Sequence, residues 1–319
     1  MKQVANVNGT MALGRKKPKI RWRIWLPVYM MAVPGLLYIL INNVLPLYGM
    51  QLAFKELNFR KGIFGGDFVG FQHFKVLFAT PDAWMMTRNT VLYNLLFIVV
   101  GTIFNLAVAI LFNEIRSKLA TRIYQSSVLL PYFMSMVIVS YLAFGFLSSE
   151  TGLINNSLLK ALGKEPVSWY SEPKYWPFIL TFIHLWKGTG YSLLLMTARL
   201  IAIDNSYFEA ASIDGATKWQ QIKSITLPFL KPAIIMGFIT SIGHMFYSDF
   251  GLFYQIPMNS GPLYNVTTTI DVYSYRALMN LGDITLSSAV GVYQSFVGFV
   301  LVIAANWVLR KVSKEDALF

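Results

Sequence analysis

Residues 89–112 read NTVLYNLLFIVVGTIFNLAVAILF, a run of 24 positions without one charged side chain. At 1.5 Å of rise per residue this run makes a helix of about 36 Å, enough to cross the roughly 30 Å hydrocarbon core of a bilayer. Five more windows of this kind flank it, at 25–50, 121–147, 176–200, 232–253 and 284–309, giving six expected membrane spans. Pro27, Pro34 and Pro46 in the first window and Pro131 in the third would break soluble helices. Packed membrane helices tolerate proline because neighbouring groups satisfy the freed backbone. The reading is an all-α, polytopic integral membrane protein.

Composition agrees. Of the 319 residues, 55% are hydrophobic and only 13% charged, about half the charged share of an ordinary soluble chain. The net charge of +12 could point to nucleic acid, but 24 Phe, 17 Tyr and 8 Trp among long apolar runs fit a chain whose acidic neighbour is anionic lipid. With no cysteine, and with His73, His184 and His244 scattered, neither a thiolate site nor a local metal motif can be assembled. No metal ligand and no catalytic residue is assigned.

The distribution of Lys and Arg orients the spans. The tail 1–24, the connection after 112, the 199–231 segment and the C-terminus together hold seventeen basic residues, against eight in the opposite connections 51–85, 148–175 and 254–283. Basic residues gather on the cytoplasmic side, so both termini are expected there. The domain reading is a basic cytoplasmic tail, 1–24, followed by a six-span domain, 25–319, that includes a cytoplasmic loop at 201–231. The three outer connections are each about 30 residues long and rich in Gly, Pro, Asn and aromatics, which marks structured surfaces suited to docking.

Between the fourth and fifth windows lies IAIDNSYFEAASIDGATKWQQIKSITLPFLKP, residues 201–232. It is too polar for the membrane and too regular for a loop. Two short helices are expected: one capped by Asp204 or Asn205, then a reversal at Gly215, where glycine supplies permissive backbone, then a second from Thr217 that stops before Pro228. The string Glu209-Ala210-Ala211, three residues, Gly215, nine residues, then Ile225-x-Leu227-Pro228 resembles the EAA signature of permease subunits in binding-protein-dependent (type I) ABC importers. Its place before the penultimate span agrees. Residues 253–278, with a Gly-Pro, a Thr-rich run and then aromatics, are similar to the outer loop of carbohydrate permeases, those for oligosaccharides and polysaccharides in particular.

The resemblance implies the type I importer permease fold and a subunit forming half of an alternating-access path for a carbohydrate, with no enzymatic step of its own. It implies a second, different permease subunit, two ATPase subunits that bind ATP and Mg, an extracytoplasmic solute-binding protein, and a place in the cytoplasmic membrane. Glu209, Ala210, Ala211, Asp214 and Gly215 would form the coupling helix seated on an ATPase. The sequence contains no G-x-x-x-x-G-K-[ST] phosphate loop, so nothing in it cradles a nucleotide by that motif. No cofactor is assigned to this chain.

Ionisable residues within spans are costly unless they face a cavity or a partner. His184, Lys187 and Tyr191 share one face of the fourth window at i, i+3 and i+7. His244, with Tyr247 and Asp249, follows in the fifth, where Ser241, His244 and Ser248 form a similar stripe. Two uses stay open for them: a hydrogen-bond network between helices, or the lining of the substrate path. Lys187 and Asp249 differ in depth by about 10 Å at helical rise, which disfavours a direct ion pair. A water-filled cavity is the expected environment of Lys187. The strings Ser157 to Lys160 and Ser171 to Lys174 lack the companion motifs of acyl-enzyme serines and carry no chemistry.

Other functions compete. The elbow also serves importers of polyamines, phosphate or peptides. An integral membrane glycosyltransferase would need clustered carboxylates or a metal motif near one face, and none is visible. A channel has no use for the elbow. The topology is checked by single cysteines in this naturally cysteine-free chain: in intact cells an impermeant thiol reagent should label a cysteine at Ser260 and leave one at Ser212 silent. The reverse labelling would invert the orientation.

Overall fold

The computed structural model describes residues 22–58, 60–115 and 117–312. Most of the basic tail, residues 1–21, and residues 313–319 lie outside this description. The chain divides into two compact units after Gly49. The first holds α1 (Trp22–Ile39), with Pro27 and Pro34 inside it, continued through a wide turn at Leu40–Val44 to Leu45–Leu47.

The second unit contains α2 (Gln72–Ala79), α3 (Pro81–Asn113), α4 (Lys118–Phe133), α5 (Met136–Leu147), α6 (Trp176–Ile201), α7 (Asn205–Ile213), α8 (Lys218–Gln221), α9 (Leu227–Gly243), α10 (Ile270–Met279) and α11 (Ile284–Val312). Among the described residues there is no strand, only one isolated antiparallel bridge between Lys55 and Phe68. Leu26–Phe54, Pro81–Asn113, Lys218–Gly243 and Ile284–Trp307 are long and apolar enough to cross a bilayer, and α4 with α5 makes a fifth if the bent pair is one span. At 26 residues, α6 has the length of a span, about 39 Å, and owes its lower apolarity to the polar stripe of His184 and Lys187.

Three expected boundaries differ. The window 121–147 is not one helix but two, bent by 100° between Phe133 and Met136. Pro131 removes a donor near the end of α4, Met134 is extended, and the Ser135 side chain accepts from Ile138 N–H and starts α5. Such a cap begins a new helix instead of continuing the old one. The window 232–253 is helical only to Gly243. The second elbow helix, expected to stop before Pro228, runs on without interruption into α9. A widened turn at Ile222–Thr226 precedes the proline, and Pro228 falls in the first turn of α9, where its missing N–H costs least.

α3 and α4 both pack along α6, and α11 lies beside α9 and α10. One core cluster joins Tyr93 and Phe97 of α3, Val139 of α5 and Trp176 and Leu180 of α6 to Leu252 and Phe253. Another joins Leu77 and Met86 to Phe246, Ile270 and Val290. A third, near the elbow, gathers Ala109, Leu193, Leu200 and Leu230.

The connections expected outside are held by side chains. Asn89 Nδ2 donates to the carbonyls of Asn265 and Thr268, both at 3.0 Å, and Thr90 Oγ1 accepts from Ile270 N–H at 3.0 Å. Thr267, Thr268 and Thr269 are buried. The Thr-rich run is therefore a structural seam and not part of the surface. Arg276 reaches Asn259 and Thr268 and lies 3.6 Å from the Tyr264 ring centroid. Buried Asn155 binds Ser149, Val167 and Trp169, and Ser260 donates to the Tyr170 carbonyl. Ser260 is thus half-buried, and Leu281, 72% exposed in the same connection, is the more reachable labelling position.

Close packing generates a prediction. A Cβ on Gly190 would fall onto the Val128 carbonyl and 2.6 Å from the Leu129 Cα, whereas one on Gly145 meets nothing within 4 Å. Gly190→Ala should therefore force α4 and α6 apart at a cost of about 1–3 kcal/mol. Gly145→Ala should be neutral or stabilising by roughly 0.5–1 kcal/mol. Thermal melts of the purified assembly read the contrast.

Candidate functional site

α3, α6 and α9 line a half-open cavity of about 740 Å³. Its polar lining comes from Asn94, Thr102 and Asn105 on α3, His184, Tyr191 and Ser192 on α6, and Thr240 and Ser241 on α9, with His244 at the end of α9 and Tyr132 and Tyr247 completing the wall. Of the expected path residues, His184, Tyr191, His244 and Tyr247 meet here. Asn94, Asn105 and Tyr132 join them, and sequence reasoning passed over all three; asparagines inside an otherwise apolar window were the available signal.

Two hydroxyls of the wall are left as acceptors. Thr240 Oγ1 and Ser241 Oγ donate their protons to the carbonyls of Met236 and Gly237, both at 2.9 Å, which leaves the hydroxyl lone pairs free. His244 Nδ1 lies 3.0 Å from the Thr240 carbonyl. A carbonyl only accepts, so Nδ1 carries a proton in this contact. Asn105 Oδ1 is buried with no partner. His184 stacks flat on Phe97, with centroids 3.9 Å apart and planes 6° from parallel. No carboxylate lines the cavity among the described residues, and Arg199, in the last turn of α6, is the lining's formal charge.

Lys187 and Asp249 are placed elsewhere. Lys187 Nζ, expected to face the cavity, donates to the main-chain carbonyls of Tyr132 at 2.9 Å, Met134 at 2.8 Å and Pro131 at 3.4 Å. It caps the end of α4 and is not among the lining residues: the break between α4 and α5 leaves end carbonyls in need of donors, of which Pro131 also accepts from Met134 N–H at 3.2 Å. Asp249 Oδ1 accepts from Leu252 N–H at 3.1 Å and opens the turn at Gly251–Gln255. No ion pair joins Asp249 to Lys187 among the described residues.

Past Gly243, side chains replace the lost helix. Asn94 Nδ2 donates to the Tyr247 carbonyl at 3.2 Å and Gln294 Nε2 to the Phe246 carbonyl at 2.7 Å. Asp271 accepts from Ser248 N–H and Oγ, both at 2.7 Å, and from Gln294 at 3.0 Å. Asp271 was not singled out in the sequence, because its partners, Ser248 and Gln294, come from two separate segments.

The elbow forms a second site. Asp204 caps α7 through Ser206 N–H at 2.9 Å, and this bond holds its carboxyl below the usual carboxylate range. α7 ends with Gly215 at φ +79°, with Gly215 N–H on the Ser212 carbonyl and Ala216 N–H on the Ala211 carbonyl, the pattern that favours glycine just past a helix end. Thr217 and Gln220 cap each other at the start of α8. Buried Gln221 crosses back to Ser212 Oγ at 2.9 Å and the Ala216 carbonyl at 3.4 Å, fixing the angle between α7 and α8. Lys218 pairs with Glu114 at 3.1 Å. Glu209, Ala210, Asp214 and Gly215 are exposed and Ala211 is half-buried. Ile213, 86% exposed, and Trp219, 70% exposed, stand beside them.

Residues 97–314 match the family described as binding-protein-dependent transport system inner membrane component. The chain is 33% identical to Protein LplB of Bacillus subtilis, over 91% of this chain and 90% of the relative. It is 32% identical to the polygalacturonan/rhamnogalacturonan transport system permease protein YteP of the same species, over 90% and 89%. Among solved structures it resembles a chain of a bacterial alginate ABC transporter in complex with an alginate pentasaccharide-bound periplasmic protein. That match has a TM-score of 0.82 and 29% identity, covering 93% of this chain and 99% of that one.

The cavity carries its own test. Thr197 is buried and outside the lining, whereas Ser192 lines it. In the purified assembly, a small water-soluble thiol reagent should reach a cysteine at Ser192 much faster than one at Thr197. Equal rates would mean that water does not fill the cavity.

Proposed function

The chain belongs to the binding-protein-dependent transport system inner membrane component family, and on that premise we propose how this member works. It is a non-enzymatic, multi-pass membrane subunit of an ABC importer that forms half of the path for a carbohydrate, an oligosaccharide or polysaccharide fragment. The observation that carries the substrate class is the polar wall, without a carboxylate among the described residues: Thr240 and Ser241 keep free lone pairs, Tyr132, Tyr191 and Tyr247 add hydroxyls and aromatic faces, and a sugar offers many hydroxyl groups to pair with them. The names of YteP and of the alginate transporter support the same class.

The finer reading follows. Both termini and the elbow face the cytoplasm. An extracytoplasmic binding protein delivers the solute, a second and different permease supplies the opposite wall, and two ATPase subunits bind ATP and Mg. Glu209, Ala210, Ala211, Asp214 and Gly215 seat on one ATPase, where exposed Ile213 and Trp219 supply apolar contact of the kind that marks a protein interface. α8 continues into α9, and α9 carries Thr240 and Ser241 and ends against His244, so a displacement of the elbow shifts the cavity wall directly. His184, Tyr191, His244 and Tyr247 line the path. Lys187 and Asp249 act behind it.

Uptake of a labelled oligosaccharide by cells expressing the full set of subunits tests the reading. Glu209→Ala should remove a charge-assisted contact worth on the order of 1.5–3 kcal/mol, and Gly215→Val should strain the left-handed backbone at the reversal. Both should abolish uptake while binding of the sugar by the extracytoplasmic protein stays intact. Normal coupled uptake in both variants would remove the elbow from the mechanism.

A further inference from the structure

We infer that Lys187 is a positioning residue: it locks the break between α4 and α5 and thereby holds Tyr132 and Tyr191 as one rigid aromatic wall of the cavity. The inference rests on the transport reading for its functional consequence and on geometry for everything else.

A helix that ends within the membrane leaves its last carbonyls without donors, and hydrocarbon offers no water to replace them. A lysine halfway along a span meets the complementary difficulty of an ammonium with three donors and no acceptor. Here each solves the other, since the three Lys187 donor contacts fall on Pro131, Tyr132 and Met134. The positive charge also sits at the negative end of the α4 dipole. The same ammonium lies 5.7 Å from the Tyr132 ring centroid, within the range of a cation–π contact.

From there the linkage reaches the cavity in one step. The Tyr132 ring stacks on Tyr191, centroids 5.1 Å apart and planes 13° from parallel, and both rings line the cavity. The backbones of α4 and α6 touch one turn along, at Gly190 and Val128 to Leu129. Lys187 and Tyr191 are one helical turn apart on α6, so the cap and the stack grip the end of α4 from the same face. Lys187 itself is not among the lining residues. Removing its ammonium takes that donor from the Tyr132 and Met134 carbonyls and leaves Pro131 with Met134 N–H alone, and the wall loses its fixed shape without losing a substrate contact at Lys187.

The experiment uses the assembled transporter with spin labels on cysteines at Ile123 of α4 and Tyr141 of α5, both exposed, read by pulsed electron resonance without solute. The distance distribution should be narrow in the unsubstituted background, clearly broadened in Lys187→Met, and narrow again in Lys187→Arg, whose guanidinium also donates to carbonyls. The solute concentration for half-maximal uptake should rise about tenfold or more in Lys187→Met, with basal ATPase activity unchanged and Lys187→Arg restoring uptake. An unchanged distribution in Lys187→Met overturns the inference. If Lys187→Met does not assemble, Lys187→Arg decides: assembly with the narrow distribution supports the cap, and a broad distribution or no assembly overturns it. The distances are read without solute, so a transporter of some other solute would show them equally, and failure to take up carbohydrate would sink the functional reading alone.

Discussion

A helix interrupted within an apolar stretch must have its backbone hydrogen bonds completed by protein, and this chain breaks off a helix in such stretches twice, after Phe133 and after Gly243. Between α4 and α5 the completing group is the ammonium of Lys187. Beyond Gly243 it is a set of side chains: Asn94 and Gln294 donate to the carbonyls of Tyr247 and Phe246, while Asp271 receives Ser248 N–H. Each unsatisfied polar group in hydrocarbon would cost several kcal/mol. The polar residues that look out of place in apolar spans are therefore the ones that permit irregular backbone there. Irregular backbone beside a cavity in turn lets a wall present side chains that a straight helix would turn away.

The elbow obeys a different economy. It is polar and exposed, so water can satisfy its backbone, and its shape is set by local chemistry: a capped start at Asp204, a glycine reversal, and a second cap at Thr217 with Gln220. Gln221 then closes the angle from inside. From Lys218 to Gly243 the chain is one helix, about 39 Å long at standard rise. One end carries Trp219 and the other His244, so the elbow and the cavity belong to a single stiff element joined through the wide turn at Ile222–Thr226.

These contrasts explain what was legible in the sequence. Spans in which apolarity alone decides, near 89–112 and 284–309, were readable to within a few residues, apart from the outer extension of α3 to Pro81, and so was the helix at 176–200 despite its polar stripe. The elbow was readable because caps and glycine reversals are local. The break at Met134 was not, because a run of apolar residues continues on either side and Ser135 looks like any serine until it caps a helix. The end of α9 was hidden for the same reason, since Gln294 and Asp271 lie far along the chain. Pro228 misled because the rule that proline stops a helix assumes regular turns before it. Lys187 was expected in a water-filled cavity, and it serves instead a backbone break that the hydropathy pattern does not reveal.

The seam formed by Asn89, Thr267 to Thr269 and Arg276, with the tie between Ser260 and Tyr170, fixes the connections at 148–175 and 254–283 before any partner arrives. A surface of ordered backbone loses little conformational freedom on association, so the entropic cost that loops of this length would otherwise impose is largely met during folding. A partner binding there would meet shape already present, which favours one that fits over one that remodels.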